Sequence, residues 1–350
     1  MAEDLSKTQI VGGNSSQASL IGNGIQQQPL AQSTFINTQP IPTKNQIPSD
    51  AVNMELRRKL WEGSIPVKID LSLKDLQSID PPRSLYIMAP RLNYLFYLLS
   101  EVKKMFDSYA SSDKIDCYDE MWFSFNGTPL KWNIPLGVQF DTLVGLKNKQ
   151  KDLPWCLTFH YRDFPEEQVL RLEGLNFFKF HYINALKESH NIRMGQGSEI
   201  LNMQNRDETR MIEGILKHNY ESFWEVNQPL IDKNVQELKK YSLRIFSNTH
   251  HTYLLANLDV NPTDQNSDEG QRQPEQFTIG DALEQTFPRL FERSLNDNGD
   301  LDLLKKRDFE IVCQGVEVDM NTPLYWMQLN MSHLDNFLYI SFKFDTNNTG

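Results

Sequence analysis

The sequence predicts an α+β fold in three ordered parts, and three observations carry that expectation. Between Val67 and Tyr161, segments that alternate with period two bracket one segment of helical period. The same succession returns between Tyr241 and Phe344. From about 165 to 235 only helical spacing occurs. The boundaries that follow are 1–50 for a polar tail, 51–164 for an N-terminal helix and a first strand-rich domain, 165–236 for a helix-rich domain, and 237–346 for a second strand-rich domain.

Residues 1–50 are rich in Gln, Asn, Ser, Gly and Pro, with few apolar side chains to offset the entropy of ordering. A disordered tail is expected there. MELRRKLW then sets Met54, Leu56, Leu60 and Trp61 within two turns, with Gly63 placed to end a helix. So short a helix needs a surface to rest on. VKIDLSL sends Val67, Ile69, Leu71 and Leu73 to one face, as a half-buried strand does. SLYIM at 84–88 is a second strand, and Pro90 suits a helix's first turn. Leu92, Leu95, Phe96, Leu99, Val102 and Phe106 continue that helix. In WFSFNGTPLKW, Asn126-Gly127 supplies a tight hairpin turn, with Leu130 and Trp132 on the return strand. A short helix from Pro135 to Val144 and the strand LPWCLTFHY at 153–161 close the set. Strand, strand, helix, strand, strand, short helix, strand is the order of a ubiquitin-like, or β-grasp, domain.

The last third repeats it. YSLRIF and TYLLANL are strands, and Ile279, Ala282, Leu283, Phe287 and Leu290 mark a helix despite Pro288. FEIVC, Gln314-Gly315 and VEV form a hairpin, TPLYWM opens a short helix, and NFLYISFKF closes the sheet. A polar insert lies near 261–275. In the middle, Leu175, Phe178, Tyr182 and Leu186 form one helical stripe; Ile200, Met203, Met211, Ile215 and Leu216 suggest a second helix and Phe223, Trp224 and Val226 a third. The fold class is therefore two ubiquitin-like domains flanking a helix-rich domain.

No motif for chemistry stands out. The 46 acidic against 35 basic residues, net charge −11, argue against broad non-specific nucleic-acid binding. Three separated cysteines favour a reducing compartment over a disulfide framework. MAEDLSKTQ has neither the basic nor the apolar region of a secretory signal, and LFYLL at 95–99 is far too short to span a bilayer, so a cytosolic chain with at most peripheral membrane contact is expected. The seven histidines make no HExxH, and CxxC, P-loop and GxSxG patterns are absent. Cys156 and Cys313 are expected as small hydrophobes inside strands, and Cys117 sits among acids that raise a thiol pKa. The terminal Gly350 matches ubiquitin-like modifiers, but the short TNNTG tail and the two folds oppose that reading. The aromatic hairpin 122–141 fills a small core, with room for a face offered to another protein.

Several long stretches also resemble the autophagy-related protein 5 family: PRLNYLFYLLSEVKKMF at 90–106, FNGTPLKWNIPLGVQFD at 125–141, LPWCLTFHYRDFPE at 153–166, CQGVE at 313–317 and TPLYWMQLNMSHLDNFLYIS at 322–341. The resemblance runs from about Leu56 to Phe344; the tail before Met54 and the insert at 261–275 depart from it. It implies two ubiquitin-like domains around a helical one, agreeing with the reading above. It implies a scaffold without a catalytic centre, cofactor or metal. Such a scaffold accepts the ubiquitin-like autophagy-related protein 12 on one lysine and binds the N-terminal segment of the coiled-coil autophagy-related protein 16. The complex then acts like an E3 ligase: it stimulates the conjugating enzyme that joins a protein-8-type modifier to phosphatidylethanolamine, on the cytoplasmic side of a phagophore membrane. The matching stretch FKFHYINALKESHN places the acceptor at Lys187. Leu56, Leu60 and Trp61 are the residues expected to hold the coiled-coil partner. The alternative is a ubiquitin-like interaction module in signalling that carries no adduct, and a hydrolase with a dispersed Cys/His pair ranks below both.

Overall fold

The computed structural model describes residues 52–77, 80–110, 118–147, 152–195, 198–249, 253–260, 277–295, 301–306 and 308–344. The expected tail at 1–50, the insert at 261–275, Cys117 and Gly350 lie outside the described residues.

Helix α1 spans Met54–Glu62. It starts where the Asn53 side chain accepts the Leu56 N–H at 2.9 Å and stops at Gly63. Strand β1, Ser64–Leu71, buries Ile65, Val67, Ile69 and Leu71. Leu73, expected on that face, is 80% exposed, because the strand ends and the chain enters a 3₁₀ turn. Strand β2 is Leu85–Pro90. Pro90 ends this strand and does not open the next helix, α2, which begins at Phe96 and runs to Phe106. Strands β3, Trp122–Phe125, and β4, Thr128–Pro129, turn through Asn126 and Gly127, both at positive φ as the turn requires. The return strand is only two residues long. Leu130 and Trp132 lie beyond it, held because the Trp132 indole N–H donates to the Leu170 carbonyl at 2.7 Å. Helix α3, Leu136–Leu143, and strand β5, Trp155–His160, complete the domain. The sheet order is β2-β1-β5-β3-β4, with β1 and β5 parallel at the centre.

Helices α4, Leu175–Met194, α5, Ser198–Leu201, α6, Asn205–Leu216, and α7, Tyr220–Ile231, follow. The one helix expected over Ile200–Leu216 is thus two, broken after Leu201. Helices α6 and α7 approach so closely that a Cβ at Gly214 would lie 2.8 Å from the Phe223 nitrogen. The apolar stripes of α4, α6 and α7 form one continuous core with the first sheet and α2, through Phe178, Tyr182, Met211 and Phe223.

The second domain holds strands β6, Lys240–Ser247, and β7, Leu254–Asp259, then helix α8, Ile279–Thr286, started by a reciprocal Thr278–Asp281 cap. Phe287 caps this helix and Leu290 lies past it, so the expected helix is shorter than its apolar spacing suggested. A hairpin that the sequence reading missed comes next, β8, Phe291–Leu295, with β9, Leu301–Lys305. Strands β10, Phe309–Cys313, and β11, Val316–Glu317, helix α9, Leu324–Asn330, and strand β12, Leu338–Phe344, finish the chain. The order β11-β10-β12-β6-β7, with β6 and β12 parallel, reproduces the first sheet element for element.

The two sheets share α3. One side of this helix covers the first sheet through Phe140. The other side rests on the outer face of the second sheet, where Val138 meets Phe246, Phe337 and Tyr339. Polar contacts fix the junction. Arg91 holds both Asp141 oxygens at 2.6 Å, and Asp141 accepts the Gly315 N–H at 2.9 Å. Thr142 Oγ1 donates to Ser341 Oγ at 3.0 Å, and the Leu146 and Lys147 amides both donate to Glu310. A buried charge pair is tolerated when its remaining oxygens are hydrogen-bonded, and the Asp141 carboxylate meets that condition.

Candidate acceptor site and partner-facing helix

Helix α4 carries the predicted acceptor. Phe178, Tyr182, Ile183, Ala185, Leu186, Ser189, His190 and Arg193 are buried, which fixes the helix's rotation. Lys187 falls at the edge of that buried face, about 120° from its centre at 100° per residue. Its side chain is half-buried, and among the described residues it forms no ion pair or hydrogen bond. Asn184 and Asn191, three before and four after it, are exposed. The next two residues tie the helix to the second domain. Glu188 accepts from Arg244 Nη2 at 2.8 Å, and Ser189 Oγ lies 3.3 Å from Ser242 Oγ. Arg244 is held in turn by Asp335 at 3.1 Å and the Tyr339 hydroxyl at 2.9 Å, with its guanidinium 3.7 Å from the Phe337 ring centroid. Burial raises the Asp335 carboxyl pKa, against the pull of Arg244. The amine therefore projects from a helix that cannot easily roll.

Helix α1 is placed differently from what its apolar residues suggested. Trp61 is buried: its ring stacks on His218 at 4.9 Å and tilts against Phe223 at 5.3 Å. Leu60 is half-buried against the core of the second domain. Leu56 is half-buried and Met54 is 43% exposed. The side chain that sequence reasoning overlooked is Arg57, which is 1% exposed. It donates to the Leu329 carbonyl from Nε at 3.1 Å and Nη2 at 2.7 Å, pairs with Asp232, and lies 4.7 Å from the Trp224 ring. The signal was there: at about 100° per residue Arg57 falls between Leu60 and Trp61 around the helix, inside the sector those two apolar side chains define. Helix α1 thus joins the helix-rich and second ubiquitin-like domains.

Three histidines and one thiol are wholly or partly buried in the fold. His160 stacks on Trp122 at 3.8 Å and bonds Ser124 at 2.9 Å; burial lowers its pKa to about 4. His190 is also lowered to about 4 by burial, and His333 to about 3. The Cys313 thiol is buried, and desolvation pushes it up, so it stays protonated. Cys156 corrects the expectation of a buried thiol: it is exposed, because it points to the outer face of β5, away from the core. His160 shares that face four residues on, about 13 Å away at the rise of a strand. Among the described residues no three His, Cys, Asp or Glu side chains gather to hold a metal ion, and no helix is long and apolar enough to cross a membrane.

Comparison with known proteins adds to this geometry. Three models of one family match in chain order: Autophagy protein ATG5, UblA domain, at residues 60–161; its alpha-helical bundle region at 175–233; and its UblB domain at 242–342. Autophagy protein 5 of Drosophila melanogaster is 28% identical over 296 residues, covering 83% of this chain and 97% of that protein. Autophagy protein 5 of Arabidopsis thaliana is 25% identical over 335 residues, covering 82% and 97%. The crystal structure of Kluyveromyces marxianus Atg5 superposes with a TM-score of 0.64 at 20% identity, over 82% of this chain and 98% of that one, a likeness of fold. With all three of its domains matched in sequence and in order, the chain belongs to the autophagy protein 5 family.

Proposed function

We propose that this chain is the acceptor and scaffold of a ubiquitin-like conjugation system in autophagy, with Lys187 as the acceptor. In this reading Lys187 takes the C-terminal carboxyl of autophagy-related protein 12 in an isopeptide bond. The chain also binds autophagy-related protein 16, and the assembly promotes transfer of a protein-8-type modifier to phosphatidylethanolamine at the phagophore membrane. The observation that carries the reading is the Lys187 side chain on the flank of the clamped helix α4, without an ion pair or hydrogen bond among the described residues. An unpaired amine needs no salt bridge broken before it reacts. An amine gives up a proton when it forms an amide, so the enzyme that presents the thioester must also receive that proton. Selection then rests on position, and catalysis lies in the donor. Of the expected partner-binding residues, Leu56 and Leu60 keep part of their surface, whereas Trp61 is spent inside the chain.

The test is Lys187→Arg, which keeps charge and stem but cannot form the bond. The variant should melt with the wild type and retain the coiled-coil partner, yet lose the reductant-resistant adduct and downstream lipidation. A wild-type chain that runs at its own mass on a denaturing gel, from cells with active conjugation, would favour the plain interaction module. An adduct surviving in the variant would move the acceptor to another lysine.

A further inference from the structure

Phe180 is 66% exposed and makes no ring contact with another described residue. It lies seven residues before Lys187 on the same helix. At 100° per residue that is about 20° short of two full turns, and at 1.5 Å per residue about 10 Å along the axis. Ring and amine therefore stand on one stripe, with exposed Asn184 between them. The spacing is fixed, because the neighbouring positions Phe178, Tyr182, Ile183 and Leu186 are buried.

Acyl transfer to Lys187 requires a second protein to bring its thioester carbonyl to the amine. A stable interface covers about 800 Å² of each partner, a disc of roughly 16 Å radius, and even a weak one of about 600 Å² reaches roughly 14 Å. A disc centred on Lys187 covers Phe180. A singly exposed apolar side chain is common on a protein surface, and what marks Phe180 is its place on one stripe with Lys187, where a docked partner would cover it; aromatic rings near the centre of an interface are the kind of side chain that dominates binding.

We propose that Phe180 is the anchor by which the thioester-charged conjugating enzyme docks on this chain, aligning Lys187 for attack. The inference rests on Lys187 being the acceptor. In the aligned complex the neutral amine attacks the thioester carbonyl. The C–N bond forms and the C–S bond breaks. The sulfur leaves as thiolate on the donor's cysteine, and the proton lost from nitrogen passes to that enzyme's base or to water. Phe180 touches the donor enzyme and takes no part in these bond changes, so its loss acts on binding and leaves the chemical step alone.

Single-turnover transfer separates the two. The probe is the conjugating enzyme charged with the ubiquitin-like modifier, mixed with increasing amounts of the full chain, and the adduct is located by mass spectrometry. Phe180→Ala should raise the half-saturating chain concentration about tenfold and leave the maximal rate within about twofold. Phe180→Leu should recover most of the affinity, and both variants should melt with the wild type. An unchanged half-saturating concentration would overturn the proposal, as would a fall in maximal rate alone. A wild-type adduct on a lysine other than Lys187 would overturn the acceptor reading and, with it, this inference. Adduct on Lys187 with an indifferent Phe180 would overturn only the anchor.

Discussion

Arg57→Ala is the substitution that most directly tests how α1 is used. The side chain is 1% exposed, and the Asp232 carboxylate it pairs with is 12% exposed. Truncation leaves that carboxylate without its hydrogen-bonded cation, takes two donors from the Leu329 carbonyl, and removes the cation lying 4.7 Å from Trp224. Deleting one partner of a buried ion pair costs about 3–5 kcal/mol, mostly because the other charge stays buried. At about 2 °C per kcal/mol for a chain of this size, the melting temperature should drop by about 6–10 °C. Scanning calorimetry of Arg57→Ala measures this, and the single variants Arg57→Met and Asp232→Asn, with the double variant that combines them, measure the coupling. The double variant should be less destabilised than the sum of the singles by about 1–3 kcal/mol, since it leaves no orphaned charge. A loss below about 1 kcal/mol for Arg57→Ala, or singles that simply add, would mean that α1 is a loose appendage and that its burial does not hold the domains together.

Two further outcomes are expected. His190 and His333 are buried and neutral, with folded pKa values lowered to about 4 and about 3 against an unfolded value near 6.5. The unfolded chain therefore binds more protons below pH 6.5, and stability is lost as pH falls through that value toward 4, by at most about 2 kcal/mol per histidine at pH 5. His333→Gln should flatten the fall in melting temperature between pH 7 and 5, and a slope identical to the wild type would refute the assignment. Leu56→Asp should weaken pull-down of the coiled-coil partner while the variant still accepts the modifier; unchanged partner affinity by titration would free Leu56 from that role.

The duplicated sheet was legible because period-two alternation and turn residues are local. Asn126-Gly127 and Gln314-Gly315 fix two hairpins at positive φ whatever surrounds them. Strand order followed from element order, and both sheets share it. What was not legible depends on contacts far apart in sequence. Pro90 can start a helix or end a strand, and its strand pairing with Ser64 decides. The β8–β9 hairpin was not legible because its residues FERSL and LDLLK carry too weak an alternation to announce strands. Trp61 looked like a partner's anchor because a two-turn helix shows no face of its own; His218, Tyr220 and Phe223, some 160 residues on, claim it.

The same distinction explains the candidate site. Lys187 is one lysine among many until α4 is rotated into place, and that rotation is set by Tyr182, whose hydroxyl donates to the Leu334 carbonyl at 2.7 Å, and by the Glu188–Arg244 pair. Both partners belong to the second ubiquitin-like domain. An amine selected by position needs a rigid mount, and here the mount is assembled from residues over fifty positions downstream of the lysine. If Lys187 is the acceptor, as proposed, the second domain is part of the acceptor surface even though no residue of it need touch the incoming thioester. Helical spacing in the sequence could locate the stripe carrying Phe180 and Lys187, but only the folded contacts of Glu188 and Tyr182 decide which way that stripe faces.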